Sequence, residues 1–111
     1  RLGPATYDLV SLLRDCYVEL PDPLSERLLN RFLTLAPRQD DAGFLARFDR
    51  MSIQRHLKAL GTFGHQVAIR GRTSFSEPIP RTLGYLRRTL HGDVAHGRLL
   101  ELLAPVLPEL R

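Results

Sequence analysis

Apolar residues recur every three or four positions along nearly all of this 111-residue chain, and no stretch alternates apolar with polar for long. That spacing predicts helices and no strands. Gly3-Pro4 marks a turn and Thr6 carries the hydroxyl of an N-cap. From there Leu9, Leu12, Leu13, Cys16 and Leu20 gather on one side of a first helix. Asp8, Asp15 and Glu19 line a different edge of it, with Ser11 and Arg14 beside them. Asp22 and Pro23 suit the cap and first position of a second helix. Its apolar stripe is Leu24, Leu28, Leu29, Phe32, Leu33 and Leu35, ending near Pro37, and Arg38-Gln39-Asp40-Asp41 reads as a polar linker.

The longest periodic run, from Ala42 to Arg70, predicts a third helix whose apolar side moves. Phe44, Leu45, Phe48 and Met51 face inward in its first half, and Ile53, Leu57, Leu60, Phe63 and Val67 in its second. A stripe that migrates implies two packing partners along one helix, or a bend near Ser52. Gly61 and Gly64 each weaken helix propensity by about 1 kcal/mol, which suggests close helix contact or a local distortion there. Arg47, Gln54, Lys58 and His65 keep to one polar strip, either a cleft wall or plain solvent-facing surface. Gly71 is placed as a C-cap, and Arg72 to Glu77 as a loop or short extended piece. Pro78 and Pro80 open a fourth helix with Leu83, Leu86 and Leu90 inward. Asp93 caps a fifth, carrying Leu99, Leu100, Leu102, Leu103, Val106 and Leu107 and interrupted by Pro105 and Pro108. The expectation is one all-α domain of about five helices over residues 1–111, without internal repeats.

Composition narrows the picture. Hydrophobic content of 43% against 25% charged is that of a globular domain, and no apolar run approaches the ~20 residues of a membrane span. One cysteine makes no internal disulfide, so a cytoplasmic setting is expected, with Cys16 as a buried structural thiol. The net charge of +4 raises nucleic-acid binding. However, the arginines are scattered, clustering only at Arg70-Gly71-Arg72 and Arg87-Arg88, and the acidic edge of the first helix speaks against that partner. His56, His65, His91 and His96 lack the paired cysteines of a zinc site, so no metal site is expected. No Gly-rich phosphate loop is present.

Three blocks carry a family resemblance. Gly3-Pro4 through Tyr7-Asp8-Leu9 to Ser11-Leu12-Leu13-Arg14-Asp15 resembles the segment that follows the metal-binding aspartate in aminoglycoside phosphotransferase-like kinases. Phe48 to Phe63 and Ile79 to Leu86 fit later helices of the same proteins, in the same order. Within that superfamily the chain is most similar to the C-terminal part of bacterial anomeric kinases acting on N-acetylmuramate and N-acetylglucosamine. The resemblance implies a helical C-lobe subdomain of a protein-kinase-like fold. It also implies that the ATP-holding N-terminal lobe, the catalytic His-Gly-Asp loop with its Asn, and the metal-binding Asp precede this stretch. ATP and Mg²⁺ then belong to the parent kinase, this piece has no catalytic residue of its own, and its partners are the N-terminal part and an amino sugar.

On that resemblance Asp8 accepts hydrogen bonds from catalytic-loop amides and braces the loop; the alternative is a first-turn carboxylate favoured by the helix dipole. Arg14 and Asp15 are candidates to bracket sugar hydroxyls, with an ion pair as the alternative. Gln54, Arg55 and Lys58 form the second substrate-side group. His91-Gly92-Asp93 spells the start of the catalytic loop but is a decoy: Arg98 stands where the metal-holding Asn belongs, and the triplet follows the Tyr-Asp-Leu segment where it should precede it. A helix end and a capping Asp explain those letters. Without the upstream half, an aminoglycoside or choline-like alcohol remains an alternative acceptor, and a basic binding module a rival function.

Overall fold

A computed structural model describes residues 5–17, 20–35 and 41–111, apart from the side chains of 5–8, 22, 41 and 42. The described residues form five α-helices, α1 (Ala5–Leu13), α2 (Asp22–Leu35), α3 (Asp41–Ala68), α4 (Ile79–His91) and α5 (Gly97–Leu103), with 3₁₀ turns between α3 and α4, between α4 and α5 and after α5, and no strand. All-α is therefore the fold class. The chain divides into two compact units, Arg1–Met51 and Ser52–Arg111.

In the first unit, Leu9, Val10 and Leu13 of α1 meet Phe44 and Phe48 of α3, with Leu29, Phe32, Leu33 and Met51 closing around them. Phe32 and Phe44 stack at 5.6 Å between ring centroids. The first helix is shorter than its apolar spacing suggests. The Arg14 amide makes the last helical bond, to the Val10 carbonyl, and Asp15 Oδ1 then accepts from the Tyr17 amide at 2.6 Å. A short acidic side chain that captures an amide two residues on competes with the next helical turn. Asp15 therefore lies beyond α1, not on its acidic edge. Leu12 is 62% exposed and Cys16 only partly buried. In α2, Leu35 points outward and Leu28 is at the surface, so that stripe is narrower than the sequence implied. Thr6 and Asp22 lie within the first turns of α1 and α2 rather than ahead of them; their side chains, Glu19 and residues 38–40 of the linker fall outside the described residues.

In the second unit, Ile53, Leu86, Leu90 and Leu110 are buried together, with Leu57, Leu60, Leu83, Leu99, Leu100, Leu103 and Leu107 packed on them. Thus α3 is one continuous helix that gives its first half to one core and its second half to the other, the two-partner reading of its migrating stripe. Gly71, at φ +66°, ends this segment. That left-handed turn lets the Arg72 amide reach back to the Gln66 carbonyl at 2.9 Å. Residues Thr73–Ser76 are a 3₁₀ turn rather than an extended piece, and Phe75 there meets Phe63 at 6.2 Å. The buried Thr82 and Thr89 hydroxyls of α4 donate to the Pro78 and Tyr85 carbonyls one turn back, so neither costs an unpaired polar group. Gly92 ends α4 in a right-handed conformation (φ −77°). Asp93 caps as expected, Oδ1 accepting from the Ala95 amide at 2.9 Å, but it opens a 3₁₀ turn before α5. Leu102 and Val106 are exposed and do not join the core.

Gly61 and Gly64 overturn the expectation of a close contact, for a Cβ at either position meets nothing within 4 Å. Only the helix penalty of glycine is left. Gly61→Ala and Gly64→Ala should each stabilise the chain by up to about 1 kcal/mol in chemical denaturation. Gly71→Ala should destabilise it by about 1–2 kcal/mol, the strain of a left-handed L-residue.

Candidate functional site

The five substrate-side candidates fall into two groups, one in each unit. In the first, Asp8 sits in the opening turn of α1, its side chain outside the described residues. Two turns on, Arg14 follows the last residue of the helix, where its guanidinium lies 4.5 Å over the ring of the buried Phe48. Its Nη1 pairs with Asp49 Oδ1 at 3.7 Å, both side chains about a quarter exposed. Phe48 and Asp49 are adjacent on α3, so one arginine is held by a ring face and a carboxylate from the same turn. The stack and the pair are each worth about 0.5–1 kcal/mol at such partly exposed positions. The ion-pair alternative for Arg14 is thus realised. Asp15 spends Oδ1 on the Tyr17 amide, which orients its carboxylate from a bend rather than from a helix face.

In the second group, Gln54 and Lys58 are exposed one turn apart on α3, and Arg55 between them is half-buried. The strip they belong to continues to His65, also exposed, with Gly61 between. An amide that both donates and accepts, followed one turn on by an ammonium, is a surface able to bond hydroxyls and carboxylates. In the other direction along α3, Arg47 lies 6.0 Å over the Phe44 ring.

The spacing argument passed over His56. Its ring is 1% exposed, Nδ1 is 3.3 Å from the fully buried Ser52 Oγ, and it stacks on Tyr85 of α4 at 5.3 Å and 10°. Arg88 lies 5.3 Å over the same tyrosine. The available signal was positional: Ser52 and His56 are one turn apart between Phe48 and Leu60, where the apolar side of α3 changes over. His91 and His96, far from any metal role, donate to the Leu110 and Thr89 carbonyls, since a carbonyl can only accept. Among the described residues no three His, Cys, Asp or Glu side chains come together as a metal site. Nor is any helix there long and apolar enough to cross a membrane.

Removing the Arg14 guanidinium tests the first group. Arg14→Ala should cost roughly 1 kcal/mol. Arg14→Met, which keeps an apolar stem over Phe48, should recover part of that. A double-mutant cycle with Asp49→Ala should give a coupling energy below about 1 kcal/mol; a larger value would mean the pair is more desolvated than its exposure shows.

No family model and no solved structure matches the chain. Curated proteins do. It is 34% identical over 110 residues to the N-acetylmuramate/N-acetylglucosamine kinase of Pseudomonas aeruginosa, covering 92% of this chain and 32% of that protein. The enzyme of the same name from Neisseria meningitidis is 39% identical over 93 residues, covering 78% and 28%. That of Pseudomonas putida is 28% identical over 108 residues, covering 92% and 32%. Over a segment about one third of their length, the chain is a homologue of bacterial N-acetylmuramate/N-acetylglucosamine kinases.

Proposed function

We propose that this chain is the C-terminal, substrate-side helical subdomain of an ATP-dependent amino-sugar kinase, and that it is inactive without the rest of that kinase. The observation that carries the reading is the span of the similarity. It runs over 92% of the chain but only 32% of a kinase more than three times as long as the matched segment. The Tyr7-Asp8 segment supports it, because in aminoglycoside phosphotransferase-like kinases such a segment directly follows the metal-binding aspartate.

The reaction of the parent moves the γ-phosphoryl group of ATP to the anomeric hydroxyl of an N-acetyl amino sugar. A phosphorus–oxygen bond forms at the anomeric oxygen, the β–γ bridge breaks, and ADP leaves. Mg²⁺ and the base belong to the preceding part and supply charge neutralisation and proton acceptance. This chain's residues do the positioning. Asp8 braces the catalytic loop by accepting its backbone amides, and charge-assisted bonds of that type are the strong ones. Arg14 presents a guanidinium held against Phe48 and Asp49, and Asp15 adds an acceptor. Gln54, Arg55 and Lys58 present donors along α3. Hydroxyls of the sugar are the groups such side chains bond.

The rival reading, a basic nucleic-acid-binding module, asks for cations massed on one helix face. The exposed residues of α3 include Arg47, Arg50 and Lys58, spaced over about three turns with Gln54 between, and no observation raises this reading above the kinase.

Two measurements test the proposal. The chain alone should show no sugar-dependent ATP turnover, whereas the same chain with its upstream polypeptide should phosphorylate N-acetylglucosamine or N-acetylmuramate. Turnover by the chain alone, or none by the longer protein, overturns it. In the longer protein Asp8→Ala should lower kcat by roughly 10–100-fold, the usual effect of losing a residue that orients the catalytic groups, with little loss of folded protein. Near-normal turnover would assign Asp8 to the helix dipole alone.

A further inference from the structure

The positive charge of the chain is not spread evenly. Ser52–Arg111 carries nine Arg and Lys against four Asp and Glu, whereas Arg1–Met51 carries seven against eight. No acidic residue stands between Asp49 and Glu77, and Lys58 lies in that gap. Its neighbours one turn away on α3 are Gln54, Arg55, Gly61 and Thr62, so no carboxylate on its own helix face offsets its charge. Gln54, Lys58 and Gly61 are exposed. Thr62 turns its hydroxyl back to the Lys58 carbonyl at 3.1 Å. A Cβ at Gly61 would meet nothing within 4 Å, which leaves open space on the strip one turn beyond the lysine.

The relatives are named for two sugars, N-acetylmuramate and N-acetylglucosamine. The two share the ring, the acetamide and the anomeric hydroxyl, and the muramate adds a lactyl ether that ends in a carboxylate. A kinase for both must receive that charge without depending on it. A buried cation fails on the second count, because it is left unpaired when the neutral sugar binds. An exposed lysine does not, since its flexible ammonium returns to water. Arg14 is less suited, with the Asp49 carboxylate already 3.7 Å from its Nη1, and Arg55 is half-buried. We propose that Lys58 receives the carboxylate of the acidic sugar, with the Gln54 amide as a second donor, and so sets the preference between the two substrates. This rests on the amino-sugar kinase reading and narrows it to one residue.

The chain together with its upstream polypeptide tests it, through the ratio of kcat/KM for N-acetylmuramate to that for N-acetylglucosamine. Lys58→Met keeps the apolar stem and removes the charge. It should lower the ratio about tenfold, the loss of one charged hydrogen bond, chiefly through KM for the muramate. Lys58→Arg should recover most of the ratio, and Lys58→Glu should lower it further than Lys58→Met does. In the wild-type protein the ratio should also fall as salt rises from about 0.05 to 0.5 M, and in Lys58→Met it should respond much less. Equal losses for both sugars, or an unchanged ratio, overturn this assignment and leave the kinase reading standing. Turnover of neither sugar by the wild-type protein overturns both.

Discussion

The constraint on which this chain depends is the drift of the buried side of α3. At roughly 100° per residue, Phe44, Phe48 and Met51 fall within one narrow sector, whereas Ile53, Leu57 and Leu60 centre about 180° away from it. The helix has 28 residues and is about 42 Å long. In the second unit it also buries Ser52, His56 and Phe63, each less than a twentieth exposed. Ser52 and His56 are polar, yet both are fully buried. Serine is small enough for close packing there, and histidine offers a flat ring to Tyr85 together with a nitrogen to Ser52. This part of the second unit is thus held by shape and hydrogen bonding rather than by aliphatic bulk.

Most of the architecture was legible in the sequence because helices announce themselves by period. The two-partner interpretation of the Ala42–Arg70 run, Asp93 as a cap and Gly71 as the left-handed stop all followed from residue types whose local physics admits few outcomes. What escaped was decided by competition that periodicity does not register. The spacing of Leu9, Leu13, Cys16 and Leu20 continues the helical pattern, yet Asp15 turns to bond the Tyr17 amide and the helix ends at Leu13. The exposure of Leu12, Leu35, Leu102 and Val106 shows the same limit from the other side. Spacing identifies which residues share a face, but only packing decides how wide a face is covered. Glycine misled for a related reason: its helix penalty is intrinsic, and the open space around Gly61 and Gly64 supplies no compensating contact within this chain.

The candidate site was legible by residue type and only partly by arrangement. Asp8 was singled out by the family resemblance and Gln54 and Lys58 by residue type and register, and α3 does carry Gln54 and Lys58 one turn apart at the surface. Arg14 shows what the sequence withheld. Read alone, the sequence offered an ion pair for Arg14 without naming its partner. In the folded unit its partners come from α3, and the neighbouring aspartate is engaged with backbone. The choice follows from geometry. At the end of a helix a long side chain reaches the next element more easily than it folds onto an adjacent residue, since positions i and i+1 do not face each other.

That arrangement bears on how an arginine can be both structural and functional. A guanidinium is planar and carries five donors in a fixed fork. The Phe48 ring lies 4.5 Å from it and the Asp49 carboxylate 3.7 Å from one nitrogen, and its charge is kept. A lysine in the same place would keep the charge and lose both the plane and the stack. If Arg14 only stabilised the first unit, an apolar stem over Phe48 would serve nearly as well, because the pair with Asp49 is worth no more than about 1 kcal/mol at this exposure. An oriented cation at the surface becomes advantageous when it meets a ligand whose acceptors have a defined geometry, as the hydroxyls of a sugar ring do. If Arg14 belongs to the sugar-binding wall proposed above, its contacts with Phe48 and Asp49 would help to place it there, alongside its charge.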